Sequence, residues 1–376
     1  MENRKIYLDA SATTPLREEV WESMRPFALE RFGNASSSHG AGRKARQALE
    51  DSREDIARIL GAFPDEVVFT SGATEANNIA IHSATLGNVL PIYLSRLEHA
   101  SITTPVEKLG QNGRLVVWQK VKHDGIVDLG SWNKDEAFSL ACLMLVNHET
   151  GMNQPVAELG QKLAGKGWLH CDAVQAVGKQ RVDFHRLCVQ SLSLSAHKFH
   201  GPKGVGALLV RRGSNLAPMF LGGGQEKSVR PGTEPVASIV GMACALRLAN
   251  QNLEQESQRL KSLKQVFFKT LQSKVPWVVL NGTLQGASAH LLNLAFPGLR
   301  SDLLLMKLDM LGVACSTGSA CSSGSLLPSP VLKAMAVEDA VLGSSMRFSF
   351  HALLSEMDVA EAADRVATAA HDMKIA

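Results

Sequence analysis

Ser195-Ala-His-Lys198-Phe-His-Gly-Pro-Lys-Gly204 stands between two short apolar runs, Val189-Gln-Ser-Leu-Ser-Leu194 and Val205-Gly-Ala-Leu-Leu-Val210. Each run has the length of a strand, and the Gly-Pro and second glycine mark a turn between them. The same alternation extends upstream. Glu66-Val-Val-Phe-Thr70 leads into Ser71-Gly-Ala-Thr-Glu75 and an apolar-periodic helix. The run 88–94 is followed by His99 and a helix from about Ser101, and the runs 138–146 and 168–172 read as buried strands. Strands alternating with helices predict an α/β domain built on a mainly parallel sheet. Ligands of such sheets sit beyond the carboxyl ends of the strands. Ser71, His99, Asp172 and Lys198 all follow predicted strand ends.

A helical stretch at about 236–271 reads as a bridge to a smaller α+β domain, with strands at 289–296 and 345–350. The chain has 376 residues, which suits two packed domains. Residues 14–250 are expected to form the larger one, and residues 1–13 with 251–376 the smaller. With 39 basic and 36 acidic residues interspersed, the net charge is +3, so direct nucleic-acid binding is not expected. No run is long and apolar enough to span a bilayer, and the first residues move straight into a strand-like run, so a cytoplasmic protein is expected. Six cysteines are too few for a disulfide framework. Cys142, Cys188 and Cys244 lie in apolar runs and read as packing residues, and Cys315 as a packing residue at a strand end. His170, Cys171 and Asp172 are adjacent on a strand and cannot converge on one metal.

Several segments carry chemistry, each beside a plainer alternative. Lys198, amid small residues after a strand, is either a surface lysine before a turn or a Schiff-base lysine held in a cleft. Asp172, also at a strand end, either caps the next helix or holds a pyridinium nitrogen protonated. Ser71-Gly-Ala-Thr-Glu75 opens a helix, where free N–H groups and the dipole suit a phosphate; it also fits a capping box. Gly160-Gln-Lys-Leu-Ala-Gly165-Lys166-Gly167 fails as a nucleotide loop, because Gly167 replaces the Ser/Thr and the glycines end a helix. Cys321 sits among Ser, Gly and Ala, which predict an exposed loop, so it is either incidental or a nucleophile.

Taken together, these segments resemble the cysteine desulfurases, the class V branch of fold-type I pyridoxal-phosphate (PLP) enzymes, in the group that includes the NifS and IscS types. The residues that carry the resemblance are Phe32-Gly-Asn34, Ser71-Gly-Ala-Thr-Glu75, Glu98-His99, His170-Cys-Asp172-Ala-Val-Gln175, Ser195-Ala-His-Lys198, Arg230-Pro-Gly-Thr233 and the Cys321 loop. The resemblance implies a mainly parallel seven-stranded sheet flanked by helices, a smaller α+β domain, and a homodimer. It implies that Lys198 bonds to PLP and moves the substrate α-proton, that His99 stacks on the ring and shares in proton transfer, and that Asp172 pairs with the pyridine nitrogen. Gln175 and His148 would face the ring hydroxyl. Ala73, Thr74, Ser195 and His197 would hold the phosphate, which Thr233 reaches from the partner subunit. Asn34 and Arg347 would bind the carboxylate of L-cysteine, and Cys321 would take its sulfur as a persulfide for a sulfur-acceptor protein. That acceptor could serve iron–sulfur cluster assembly, tRNA thiolation or DNA phosphorothioation. The chain departs from the family pattern at His148, where asparagine is usual, and at Ala196, where glycine is common. A histidine at 148 is expected to titrate near neutral pH. The end near Met373 lacks a tail that docks an iron–sulfur scaffold in some members.

Overall fold

A computed structural model describes residues 4–133, 135–318 and 328–375. Twelve strands are seen among them. In chain order they are β1 (Ile6–Tyr7), β2 (Val67–Thr70), β3 (Ile92–Ser95), β4 (Val116–Gln119), β5 (Leu140–Cys142) and β6 (Trp168–Asp172). Then come β7 (Ser191–Ser195), β8 (Gly206–Val210), β9 (Val279–Leu280), β10 (Leu291–Ala295), β11 (Val313–Ala314) and β12 (Ser345–Ser349). Seven of them form one sheet in the order β2-β8-β7-β6-β5-β3-β4. Strands β4, β3, β5, β6 and β7 pair in parallel, and only β8 runs against its neighbours.

The period-two geometry of a strand sorts the side chains of this sheet. Val67, Phe69, Leu169, Cys171, Leu192, Leu194, Ala207 and Leu209 enter one core with Leu49, Ile56 and Met242 of the helices Gly40–Leu60 and Val236–Gln251. Val68, Leu208 and Val210 pack with Ile79 of the helix Ala73–Thr85. Ile92, Leu94, Leu140 and Cys142 pack with Ile102 and Val106 of the helix Ala100–Gln111. Covering both faces is what lets apolar residues enter a core on either side of the sheet. A separate core gathers Ile6, Leu8, Phe267, Phe296, Phe348 and Phe350 around the three-stranded antiparallel sheet β12-β10-β9. Val331, Leu332 and Met335 pack back into the first core.

Two expectations change. The stretch at 236–271 is two helices, Val236–Gln251 and Leu253–Lys274, broken where Asn252 leaves helical dihedrals. The run 138–146 gives only the three residues of β5; the chain beyond stays extended along β6, with Leu143 N–H and Leu145 N–H donating to the His170 and Asp172 carbonyls. Cys188 is half-buried and not fully packed, whereas Cys142 and Cys244 are buried. The glycines after the helix Val156–Lys162 close it, as expected, with Gly165 at φ 74°.

Candidate active site

The parallel strands end along one edge of the large sheet, and a cavity of about 440 Å³ lies there. Ser71 to Glu75 follow β2, His99 follows β3, Met144 to His148 follow β5, Asp172 ends β6, and Ser195 to Lys198 end β7. Because β8 is antiparallel, its beginning, with Lys203 and Gly204, joins the same edge. Ala73, Thr74, His99, His148, Asp172, Gln175, Ser195, His197, Lys198 and Arg347 all line this cavity. A larger groove of about 550 Å³, around Arg58 and Arg181, contains none of them.

Lys198 leaves β7 on a short 3-10 turn, and its Nζ donates to the carbonyl oxygens of Ser11 (2.6 Å) and Ala12 (2.8 Å). Asp172 is buried; Oδ1 accepts from Val174 N–H at 3.0 Å and Oδ2 from Asn77 Nδ2 at 3.2 Å. No helix follows Asp172, so it does not cap one; it closes a local turn through Val174 N–H and stands as a buried carboxylate on the cavity wall. Gln175 Nε2 donates to Ser11 O at 3.0 Å, and its Oε1 accepts from Lys179 Nζ at 3.1 Å. The helix Ala73–Thr85 receives no side-chain hydrogen bond from its N-cap, Gly72. Helices leave their first N–H groups without internal partners, so this end meets the cavity as a partial positive charge. Glu75 takes the Ser71 N–H at 2.5 Å, and its carboxylate is paired with Arg230 at 2.9 Å. The capping box is not formed, since Glu75 takes the N–H of Ser71 and not that of the N-cap Gly72; its carboxylate is paired with Arg230 beside the helix end.

His197 is held by Thr13, its Nδ1 lying 3.1 Å from Oγ1, and burial together with Lys198 pushes its pKa down to about 4. Glu98 is buried beside His99; Met144 N–H donates to its Oε1 at 2.9 Å, and burial raises its pKa to about 8. His148 corrects an expectation. Burial, followed by His99, Arg347 and Lys198, pushes its pKa well below the usual imidazole value, so it stays neutral at neutral pH. Its Nδ1 is buried and has no partner among the described residues. Between about pH 6 and 8 the cofactor absorbance of a His148→Asn variant is expected to titrate with the parent midpoint. A midpoint displaced toward neutrality in the parent alone would show that His148 ionises there.

Arg347 arrives from β12 in the second core. Its Nη2 donates to Asp9 Oδ1 at 2.9 Å and its Nη1 to His148 O at 3.1 Å, while Nε is buried without a partner among the described residues. Asn34 and Thr233 are exposed and do not line the cavity. Cys321 lies outside the described residues. On either side of it, Gly318 and Ser329 both come to Glu149. Ser329 Oγ donates to Glu149 Oε2 at 2.6 Å, and a Cβ on Gly318 would sit 3.1 Å from the same oxygen. Sequence reading missed Ser11 and Ala12, which hold Lys198, and Asn77, which holds Asp172. Ser11 and Ala12 lie in the segment 6–15, where the family resemblance begins, but they act through carbonyl oxygens, and only the fold brings them and Asn77 to these partners.

The chain belongs to the class-V aminotransferase family, whose pattern it matches over residues 6–361, and within it to the cysteine desulfurases. It is 40% identical over 363 residues to cysteine desulfurase IscS of Dictyoglomus turgidum, covering 95% of this chain and 92% of that protein. Among solved structures, a NifS-like protein superposes with a TM-score of 0.90 at 30% identity, covering 97% of this chain and 98% of that one. SspA in complex with cysteine superposes with a TM-score of 0.80 at 31% identity, covering 92% and 98%. Enzymes of this family depend on PLP. The cavity fits that cofactor: an uncapped helix end for a phosphate, a buried carboxylate for a ring nitrogen, a lysine amine, and the orphaned Nδ1 of His148.

Proposed function

We propose that this chain is a cytoplasmic, homodimeric cysteine desulfurase that converts L-cysteine to L-alanine and leaves the sulfur as a persulfide on Cys321. One observation carries the reading: Lys198 and Asp172 end adjacent strands of one sheet and face a single cavity whose wall includes an uncapped helix N-terminus. The unit boundaries we propose are residues 14–250 for the cofactor-binding part and residues 1–13 with 251–376 for the second. The helix Pro330–Ala334 of the latter packs back on the first core.

Bound PLP supplies an electron sink that lets the α-proton of the amino acid leave. The residues of the chain do the rest. Asp172 would hold the ring nitrogen, and Gln175 and His148 would stand at the ring hydroxyl. Ala73, Thr74, Ser195 and His197 would hold the phosphate, with Thr233 reaching in from the second subunit. The Nε–H of Arg347, without a partner among the described residues, would donate to the substrate carboxylate, aided by Asn34; a guanidinium matches a carboxylate in plane. Lys198 would take and return the α-proton, and His99 on the cavity wall would stack on the ring. The Cys321 thiolate then attacks the substrate sulfur. The substrate C–S bond breaks as the new S–S bond forms, and the three-carbon product is protonated to alanine. Mass spectrometry of the protein after incubation with L-cysteine is expected to find one added sulfur atom on Cys321, with alanine formed in parallel. Alanine without that adduct would sink the persulfide step.

A further inference from the structure

A directional chain of hydrogen bonds runs beneath the cavity. Trp168, His170 and Asp172 alternate along β6, so they share the sheet face covered by the helix Ala73–Thr85. His170 stands opposite Ser191 in the sheet register. Trp168 Nε1 donates to Ser191 Oγ at 2.7 Å. An indole N–H can only donate, so Ser191 Oγ accepts there and keeps its own proton available for His170 Nδ1, 2.8 Å away. The ring proton of His170 then sits on Nε2 and is donated to Asn77 Oδ1 at 2.9 Å.

The other end gives the same assignment. Asp172 as a carboxylate only accepts, so the Asn77 atom facing its Oδ2 at 3.2 Å is the amide nitrogen. The Asn77 oxygen must therefore face His170. The same nitrogen donates to Ser101 Oγ at 2.8 Å, which sends the Ser101 hydroxyl proton toward His99 Nδ1, also at 2.8 Å. That Nδ1 further accepts the Ser101 backbone N–H at 3.1 Å, His99 being the N-cap of the helix Ala100–Gln111. Asn77, His170 and Ser191 are fully buried, so water cannot substitute for a mismatched partner. Burial also holds His170 neutral, its pKa pushed down to about 3, and a neutral ring is what lets Nδ1 accept.

We infer that Asn77 is a positioning residue, oriented by His170, that splits its amide between Asp172 and the Ser101–His99 pair and so fixes the His99 ring proton on Nε2. His99 thus meets the cavity as a hydrogen-bond donor. Its lone pair, on Nδ1, is already occupied, so His99 can hold a proton over the site but cannot collect one from it. Lys198 is left as the group that removes the α-proton. The kinetic part of this inference rests on the desulfurase reading; the tautomers do not.

The test is the tautomer state of the holoenzyme labelled with [15N]histidine, read from long-range proton–nitrogen spectra with His99 and His170 assigned by single substitution. Both rings are expected to carry their proton on Nε2 alone. A proton on Nδ1 of either ring overturns the inference whatever reaction the enzyme catalyses. In Asn77→Leu, His170 loses its Nε2 partner and is expected to give mixed tautomers, with kcat lowered on the order of tenfold and KM within about twofold. A folded Asn77→Leu protein with parent kcat overturns the positioning role. Should that variant fail to fold, Ser101→Ala cuts the same chain one step from His99. It is expected to lower kcat severalfold at unchanged KM, and parent kcat there overturns the role equally.

Discussion

Lys198→Ala is expected to form alanine from L-cysteine at least about a thousandfold more slowly than the parent chain, because it removes the residue proposed both as covalent anchor of the cofactor and as proton acceptor. The fold provides no substitute. Lys203 also lines the cavity, but it stands in the turn before β8, and the Ser11 and Ala12 carbonyls take Lys198 instead. Lys179 is close, but its amine is committed to Gln175 Oε1 at 3.1 Å, and burial pushes its pKa well below the usual lysine value. It also lines a different, smaller cavity behind the site. Alanine production measured under single-turnover conditions separates this effect from slow product release. Activity within about tenfold of the parent would remove Lys198 from its role.

Cys321→Ala carries the second large effect. Protein-bound sulfur is expected to vanish, and alanine formation to fall by on the order of a hundredfold or more, since the proposed attacking thiolate is gone. The other cysteines cannot take over. Cys142 and Cys171 are fully buried in the large sheet, and burial raises both thiols well above their ordinary pKa. Cys244 is buried in a helix facing the first core. Cys315 is raised likewise, by burial and then Asp9. Cys188 lies on the loop before β7, away from the cavity wall. Isotope-labelled cysteine followed by mass spectrometry reads sulfur transfer, and amino-acid analysis reads alanine. Full alanine formation with no sulfur on the protein would point to a reaction that needs no acceptor thiol.

The parts of the molecule legible in the sequence are those where one physical signal dominates. Strands β6, β7 and β8 were legible because buried apolar residues recur along each of them between turn signals, whether the strand is parallel like β6 and β7 or antiparallel like β8. Strand β4 was not. Its residues Val116–Gln119 lie on the sheet edge and are mostly half-buried, so the run is too short and too mixed to stand out. The break at Asn252 was hidden because no proline or glycine marks it. In the site, Lys198, Asp172 and the segment 71–75 could be found because each follows a strand and carries a distinctive side chain. Their partners could not, since Ser11 and Ala12 lie more than 180 residues away in the chain and act through carbonyl oxygens. His148 was legible as an unusual residue but misread in its ionisation, because burial, which sets its pKa, is not a property of the local sequence.

Arg347 enters the cavity from the three-stranded sheet, whereas the other charged and polar groups of its wall hang from the large sheet or from the segment Ser11 to Thr13. Damage to the molecule should therefore sort into two phenotypes. A lesion under the large sheet bleaches the protein, because it disturbs the groups that would hold PLP. A lesion around Phe267, Phe348 or Phe350 can spare the colour and still blunt recognition of cysteine, because the arginine proposed to bind its carboxylate rides on that second core.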